Sequence, residues 1–201
     1  MRLFGLFRRG QKPAKFEALR KGAPDPAFLG DLLVHSFVDS HFRLSDADLA
    51  ALAAPLPESV RDFAGFWITV YLCWILRIKI RAKYGDAFFD AAFDAARGRL
   101  ALGGDVTARF ADDLNYWFQK LDAASANMGQ TVEGIPLPME FFAGLTFLSL
   151  TPDSPFFMQK ELPSDLYLEV GAVLERAKTP KALQIIEFVG EVGGPLKAGV
   201  V

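Results

Sequence analysis

The stretch that most limits how this chain can fold is Phe63–Leu76, FAGFWITVYLCWIL, fourteen residues without a charge. Arg61 and Asp62 precede it, and Arg77 and Lys79 follow it. As a helix it is only ~21 Å long, whereas a bilayer core needs about 20 apolar residues. The segment therefore suits a buried helix packed on most of its sides. Phe63, Phe66, Trp67, Val70, Tyr71, Trp74 and Ile78 share one helical face, and Ile68, Leu72 and Leu76 fill others. A strand competes here, because Leu76–Arg81 alternates with period two and the run is rich in β-branched and aromatic residues. The length of the run, and Gly85 as a natural stop, favour helix. The expectation is one hydrophobic helix over 57–84, at the centre of an all-α, single-domain bundle or array of about seven helices.

The flanking sequence divides into further helical units. Asp25-Pro26 opens one that carries Phe28, Leu29, Leu32, Leu33, Phe37 and Val38 at helical spacing. Ser45-Asp-Ala-Asp48 resembles a capping box and starts another. Asp86–Arg99 places Phe88, Phe89, Ala92, Phe93 and Ala96 on one face. Gly103-Gly104 ends that helix and Asp105 opens the next, lined by Val106, Phe110, Leu114, Trp117, Phe118 and Leu121. Thr131–Pro138 is loop or a short extended piece, since Gly134, Pro136 and Pro138 forbid regular helix. Pro138 opens the unit containing Phe141–Leu150. Ser164 and Thr179-Pro180 each start a further helix, and Gly193-Gly194-Pro195 closes the fold. The organisation expected is a basic arm over 1–22, a helical domain over 23–192 and a tail over 193–201.

Charge is asymmetric. Residues 1–22 hold Arg2, Arg8, Arg9, Lys12, Lys15, Arg20 and Lys21 against Glu17 alone, a net +6 in a chain whose total is −2. An acidic body argues against nucleic acid as a partner. A basic arm with Leu3, Phe4, Leu6 and Phe7 beside Arg8 and Arg9 suits an anionic membrane surface or a partner protein. No signal-peptide pattern follows Met1, and the single cysteine, Cys73, sits in the apolar run as a buried thiol. Both point to a reducing, cytoplasmic setting with membrane association through the arm.

No motif names a reaction: there is no P-loop, GxGxxG, GxSxG, HExxH or CxxC, and no cofactor is expected. The sharpest chemical candidate is a metal site. Asp31, His35 and Asp39 lie on one helical stripe, with His41 nearby, and Asp86, Asp90 and Asp94 form a second stripe. Two such helices face to face would make a carboxylate–histidine centre. The plainer alternative is a solvated face, because the aspartates lie opposite the Phe face of their own helix and the Glu-x-x-His pattern of di-metal bundles is missing. No residue is assigned a catalytic role.

The 19 phenylalanines fit either a Phe-rich core or an apolar cavity. Three functions from different classes follow. The leading one is a non-enzymatic adaptor or assembly protein that binds another protein and touches a membrane with its arm. The others are a carrier for a lipid or other apolar ligand, and an enzyme built on the Asp/His stripes.

Overall fold

The computed structural model describes residues 44–101, 105–126, 131–132, 135–136, 138–159 and 161–193, together with the helical positions Pro26 and Gly30. Seven helices are delimited among these residues: α1 Asp46–Ala53, α2 Glu58–Arg61, α3 Ala64–Tyr84, α4 Asp86–Ala101, α5 Asp105–Ser125, α6 Met139–Leu150 and α7 Ser164–Gly193. Between α5 and α6, Thr131–Val132 (β1) pairs antiparallel with Ile135–Pro136 (β2), a two-residue ladder in the stretch where Gly134 and Pro136 preclude helix. Otherwise the described secondary structure is helical.

Each junction has a local cause. Ser45 caps α1, its hydroxyl accepting the Asp48 N–H at 3.1 Å. Gly85 separates α3 from α4 at φ 85°, a left-handed conformation that a side chain disfavours, and its N–H returns to the Arg81 carbonyl at 2.8 Å. Arg81 then pairs with Asp86 in the first turn of α4.

The single helix expected over 57–84 is two. Pro57 starts the single-turn α2, and the chain turns at Asp62–Phe63 before α3 begins. The Phe63 N–H reaches back to Val60 O at 3.1 Å, a three-residue bond that breaks the helical ladder. Arg61 holds the bend by donating to the Leu56 carbonyl at 2.8 Å and the Ala54 carbonyl at 3.3 Å. A second expectation also fails: no new helix starts at Thr179-Pro180, because α7 runs unbroken through both. Proline removes one i→i−4 hydrogen bond, and one bond is a small loss here. Leu166, Val170, Val173, Leu174 and Ala177 anchor the preceding turns in the core, and the Thr179 hydroxyl donates within the helix to the Glu175 carbonyl at 3.0 Å instead of capping a new one.

Helix α3 contacts α1, α4, α5 and α7. Its residues Trp67, Ile68, Val70, Tyr71, Leu72, Cys73, Trp74 and Leu76 are all buried, while Thr69 and Ile75 are partly buried. No helix among the described residues is long and apolar enough to cross a membrane. The aromatic residues pack on one another. Trp117 lies 5.8 Å from Phe66 and 5.2 Å from Phe147 between ring centroids, Trp67 lies 6.0 Å from Phe147, and Phe93 lies 5.9 Å from Phe118. These distances are those of favourable ring pairs.

Helix α6 packs closely on α7. A Cβ built at Gly144 would lie 2.7 Å from the Tyr167 carbonyl oxygen, and one at Gly171 would lie 3.1 Å from the Glu140 carbonyl oxygen. Backbone meets backbone there: a side chain at Gly144 would collide, and one at Gly171 would be crowded. By contrast, a Cβ at Gly98 in α4 meets nothing within 4 Å. Gly144→Ala is expected to lower stability by about 1–3 kcal/mol through overpacking, whereas Gly98→Ala raises it by about 0.5–1 kcal/mol through helix propensity. Urea denaturation midpoints check both signs. Cys73 is 2% exposed, and desolvation pushes its thiol well above the usual range. A thiol reagent should therefore leave the native protein unmodified and react stoichiometrically once urea unfolds it.

Candidate functional site

Two carboxylates reach into the helix interfaces. Glu140, in the first turn of α6, is 6% exposed. Its Oε1 accepts the Tyr71 hydroxyl of α3 at 2.8 Å and the Lys178 ammonium of α7. Burial opposes its ionisation, but the hydrogen bonds from Lys178, from its own backbone N–H and from Tyr71 outweigh that and hold its pKa below the ordinary glutamate value. Burial, and then the Glu140 charge, push the Tyr71 phenol far up, so it stays a hydrogen-bond donor. One helical turn along, Trp74 stacks on Tyr71 at 5.9 Å and donates its indole N–H to Asp122 of α5 at 2.9 Å. Arg77 clasps both oxygens of Asp122 at 2.7 and 2.8 Å, while its guanidinium lies 5.3 Å from the Phe118 ring centroid. Partial burial resists ionisation of Asp122, and the bonds from Arg77 and Trp74 again prevail, so its pKa is lowered. These groups are bonded to one another, and a phenol whose pKa is driven up is a poor base or nucleophile. The arrangement locks helices in register.

The loop after α6 is built differently. Thr151, at the C-terminal cap, is buried and accepts the Trp67 indole N–H at 2.8 Å. The chain then turns back on itself. Ser154 N–H bonds Thr151 O at 3.2 Å, Phe157 N–H bonds Ser154 O at 2.9 Å, Met158 N–H bonds Ser149 O at 2.9 Å and Gln159 N–H bonds Phe156 O at 3.1 Å. The Ser154 hydroxyl is buried too, and accepts the Phe156 N–H at 3.3 Å. Two non-glycine residues take left-handed conformations in this turn, Asp153 at φ 66° and Met158 at φ 57°. Phe156 packs against the core, whereas Phe157 and Met158 face outward, 45% and 70% exposed. Leu168 on α7 is 52% exposed. Thr151–Gln159 is thus a hydrogen-bonded turn that displays apolar side chains.

The residues of the candidate metal site fall only partly within the described residues. Asp31, His35, Asp39 and His41 lie outside the described residues, as do Leu3, Phe4, Leu6, Phe7, Arg8 and Arg9 of the arm. Asp86, Asp90 and Asp94 are exposed, opposite buried Phe89, Ala92 and Ala96. Gly30 abuts α4 at Ala92, Ala95 and Ala96, away from the aspartate stripe. No cluster of three or more metal-ligating side chains occurs among the described residues. Glu140, Lys178 and Asp122 were not singled out from the sequence. Their partners lie 38 to 69 residues away for Glu140 and 45 to 48 for Asp122, separations that no local spacing encodes.

A carboxylate whose folded pKa is depressed stabilises the native state above its unfolded value, and that contribution is lost as pH falls through the folded value. Glu140→Gln should therefore be less stable than the wild type at about pH 7, with the gap closing as acidification passes below the ordinary glutamate range and through the depressed folded value of Glu140. Tyr71→Phe should cost about 1–2 kcal/mol. Urea midpoints across pH test both. Comparison of the chain with protein-family models, with curated proteins and with solved structures finds no match.

Proposed function

We propose that this chain is a non-enzymatic helical adaptor or assembly protein. It is a single-domain bundle built around α3 that docks another protein through the Thr151–Gln159 turn, with residues 1–22 engaging an anionic membrane surface. The observation that carries this reading is Met158. It has the most exposed large apolar side chain among the described residues, on a left-handed backbone inside a hydrogen-bonded turn. A left-handed conformation costs a non-glycine residue about 1–2 kcal/mol, and an outward methionine gains no burial in return. Strain held at an exposed apolar position is typical of contact sites. A preformed turn also loses little entropy on docking, and Met beside Phe gives an adaptable, large apolar contact.

The polar groups of the helix interfaces support a non-catalytic body, since Glu140 and Asp122 engage Tyr71, Lys178, Trp74 and Arg77 rather than an open cleft. The mutual packing of the aromatic rings supports a core, more than a ligand cavity, as the use of the phenylalanines. Membrane contact rests on the arm alone, with its four apolar residues among arginines.

A photo-cross-linking residue replacing Met158 should give one defined protein adduct in a lysate of the host, and the same group replacing Asp90 should not. No adduct, or the same adducts from both positions, would overturn the docking role. Full-length protein should float with anionic liposomes while a chain beginning at Ala23 stays in the aqueous fraction. Equal behaviour of the two would remove the membrane role.

A further inference from the structure

We infer that Met158 is a modification site, a thioether placed for oxidation by a hydroperoxide, and that its sulfoxide releases the partner from the Thr151–Gln159 turn. This rests on the turn being a docking site and adds how docking is controlled. Two methionines lie among the described residues, and the fold treats them oppositely. Met139, in the first turn of α6, is 7% exposed and belongs to the core, whereas Met158 is 70% exposed. Cys73 is buried with its pKa pushed well up, and a protonated, inaccessible thiol does not compete for oxidant. A peroxide arriving from solvent therefore meets Met158 first among the described sulfurs.

The reaction needs no group that the turn must supply. The sulfur lone pair attacks the terminal oxygen of the hydroperoxide, and an S–O bond forms as the O–O bond breaks. The thioether is oxidised to a sulfoxide. The hydroperoxide is reduced to an alcohol, or to water from hydrogen peroxide, and takes up the proton that the transferred oxygen carried. A sulfoxide is polar where the thioether was apolar, so a surface that pressed on Met158 must now cover an oxygen that water had solvated. The fold does not depend on the sulfur. Phe157 N–H to Ser154 O at 2.9 Å, Met158 N–H to Ser149 O at 2.9 Å and Gln159 N–H to Phe156 O at 3.1 Å hold the turn through backbone groups alone. Oxidation thus alters the contact surface and leaves its frame standing, which distinguishes a switch from damage. The same chemistry at Met139 would put a polar group into the core.

The test treats full-length purified protein with hydrogen peroxide, stops the reaction with catalase and maps sulfoxide by peptide mass spectrometry. Met158 should oxidise about tenfold faster than Met139, in the ratio of their exposures. The urea midpoint should stay unchanged while Met158 alone is oxidised, and methionine sulfoxide reductases should restore the original mass. Docking is read with a photo-cross-linking residue in place of Phe157, in a gel-filtered lysate of the host, which lacks the small reductants that would reverse the sulfoxide. The adduct yield should fall about tenfold on oxidation and recover after reduction. Met158→Leu keeps an apolar side chain without the sulfur, and should give the full yield before and after peroxide. Oxidation of Met158 no faster than that of Met139, or a urea midpoint that falls with it, would overturn the inference. So would an adduct yield that peroxide leaves unchanged, or one that falls equally in Met158→Leu, and in both of these cases the adaptor reading stands. If the reduced protein gives no adduct at all, the adaptor reading falls and takes the inference with it.

Discussion

A carboxylate withdrawn from water must find donors inside the protein or destabilise it, and Glu140 finds them on two other helices. Tyr71 comes from α3 and Lys178 from α7. Three helices therefore share one oxygen, and they can do so in one relative register. The glycines complete the requirement. Gly144 lies one helical turn beyond Glu140, and Gly171 lies two turns before Lys178, so that the backbones of α6 and α7 meet where these residues point. A side chain at Gly144 would collide with the α7 backbone and push the two helices apart beside Glu140.

The second tie lies one turn further along α3. Trp74 and Arg77 hold Asp122 of α5, and the stacking of Tyr71 on Trp74 joins the two polar networks into one strip along the helix. Such ties are seldom worth more than well-packed apolar residues of the same volume. Their value is selectivity. An all-apolar α3 would tolerate rotation about its axis and sliding along its neighbours, whereas a phenol, an indole and a guanidinium aimed at two carboxylates do not.

At the other end of α3, the Trp67 indole holds Thr151, where α6 ends. The same helix thereby fixes the root of the turn that exposes Phe157 and Met158. The docking reading depends on this rigidity, because a loose apolar loop would collapse on the core, while a braced one keeps its tip in water.

Helix content was legible in the sequence, since a period of 3.6 in Phe88, Phe89, Ala92 and Ala96, or in Leu114, Trp117, Phe118 and Leu121, follows from the need to bury one face. The Ser45 cap and the Gly85 stop were legible for a similar reason: each is a local demand of backbone hydrogen bonding or dihedral angle, met within a few residues. Burial of Cys73 followed from its apolar surroundings. The bend at Asp62–Phe63 and the passage of α7 through Pro180 were not legible, because packing and a few side-chain bonds overrule local propensity there. Each Phe doublet also divides only in three dimensions: Phe89 and Phe142 are buried and Phe157 is exposed, while Phe88, Phe141 and Phe156 lie at the edge of the core. The partners of Glu140 and Asp122, and the outward turn at Met158, belong wholly to the tertiary structure. A sequence states which residues dislike water, but pairing between residues tens of positions apart is decided by which helix faces are brought together when those residues are buried.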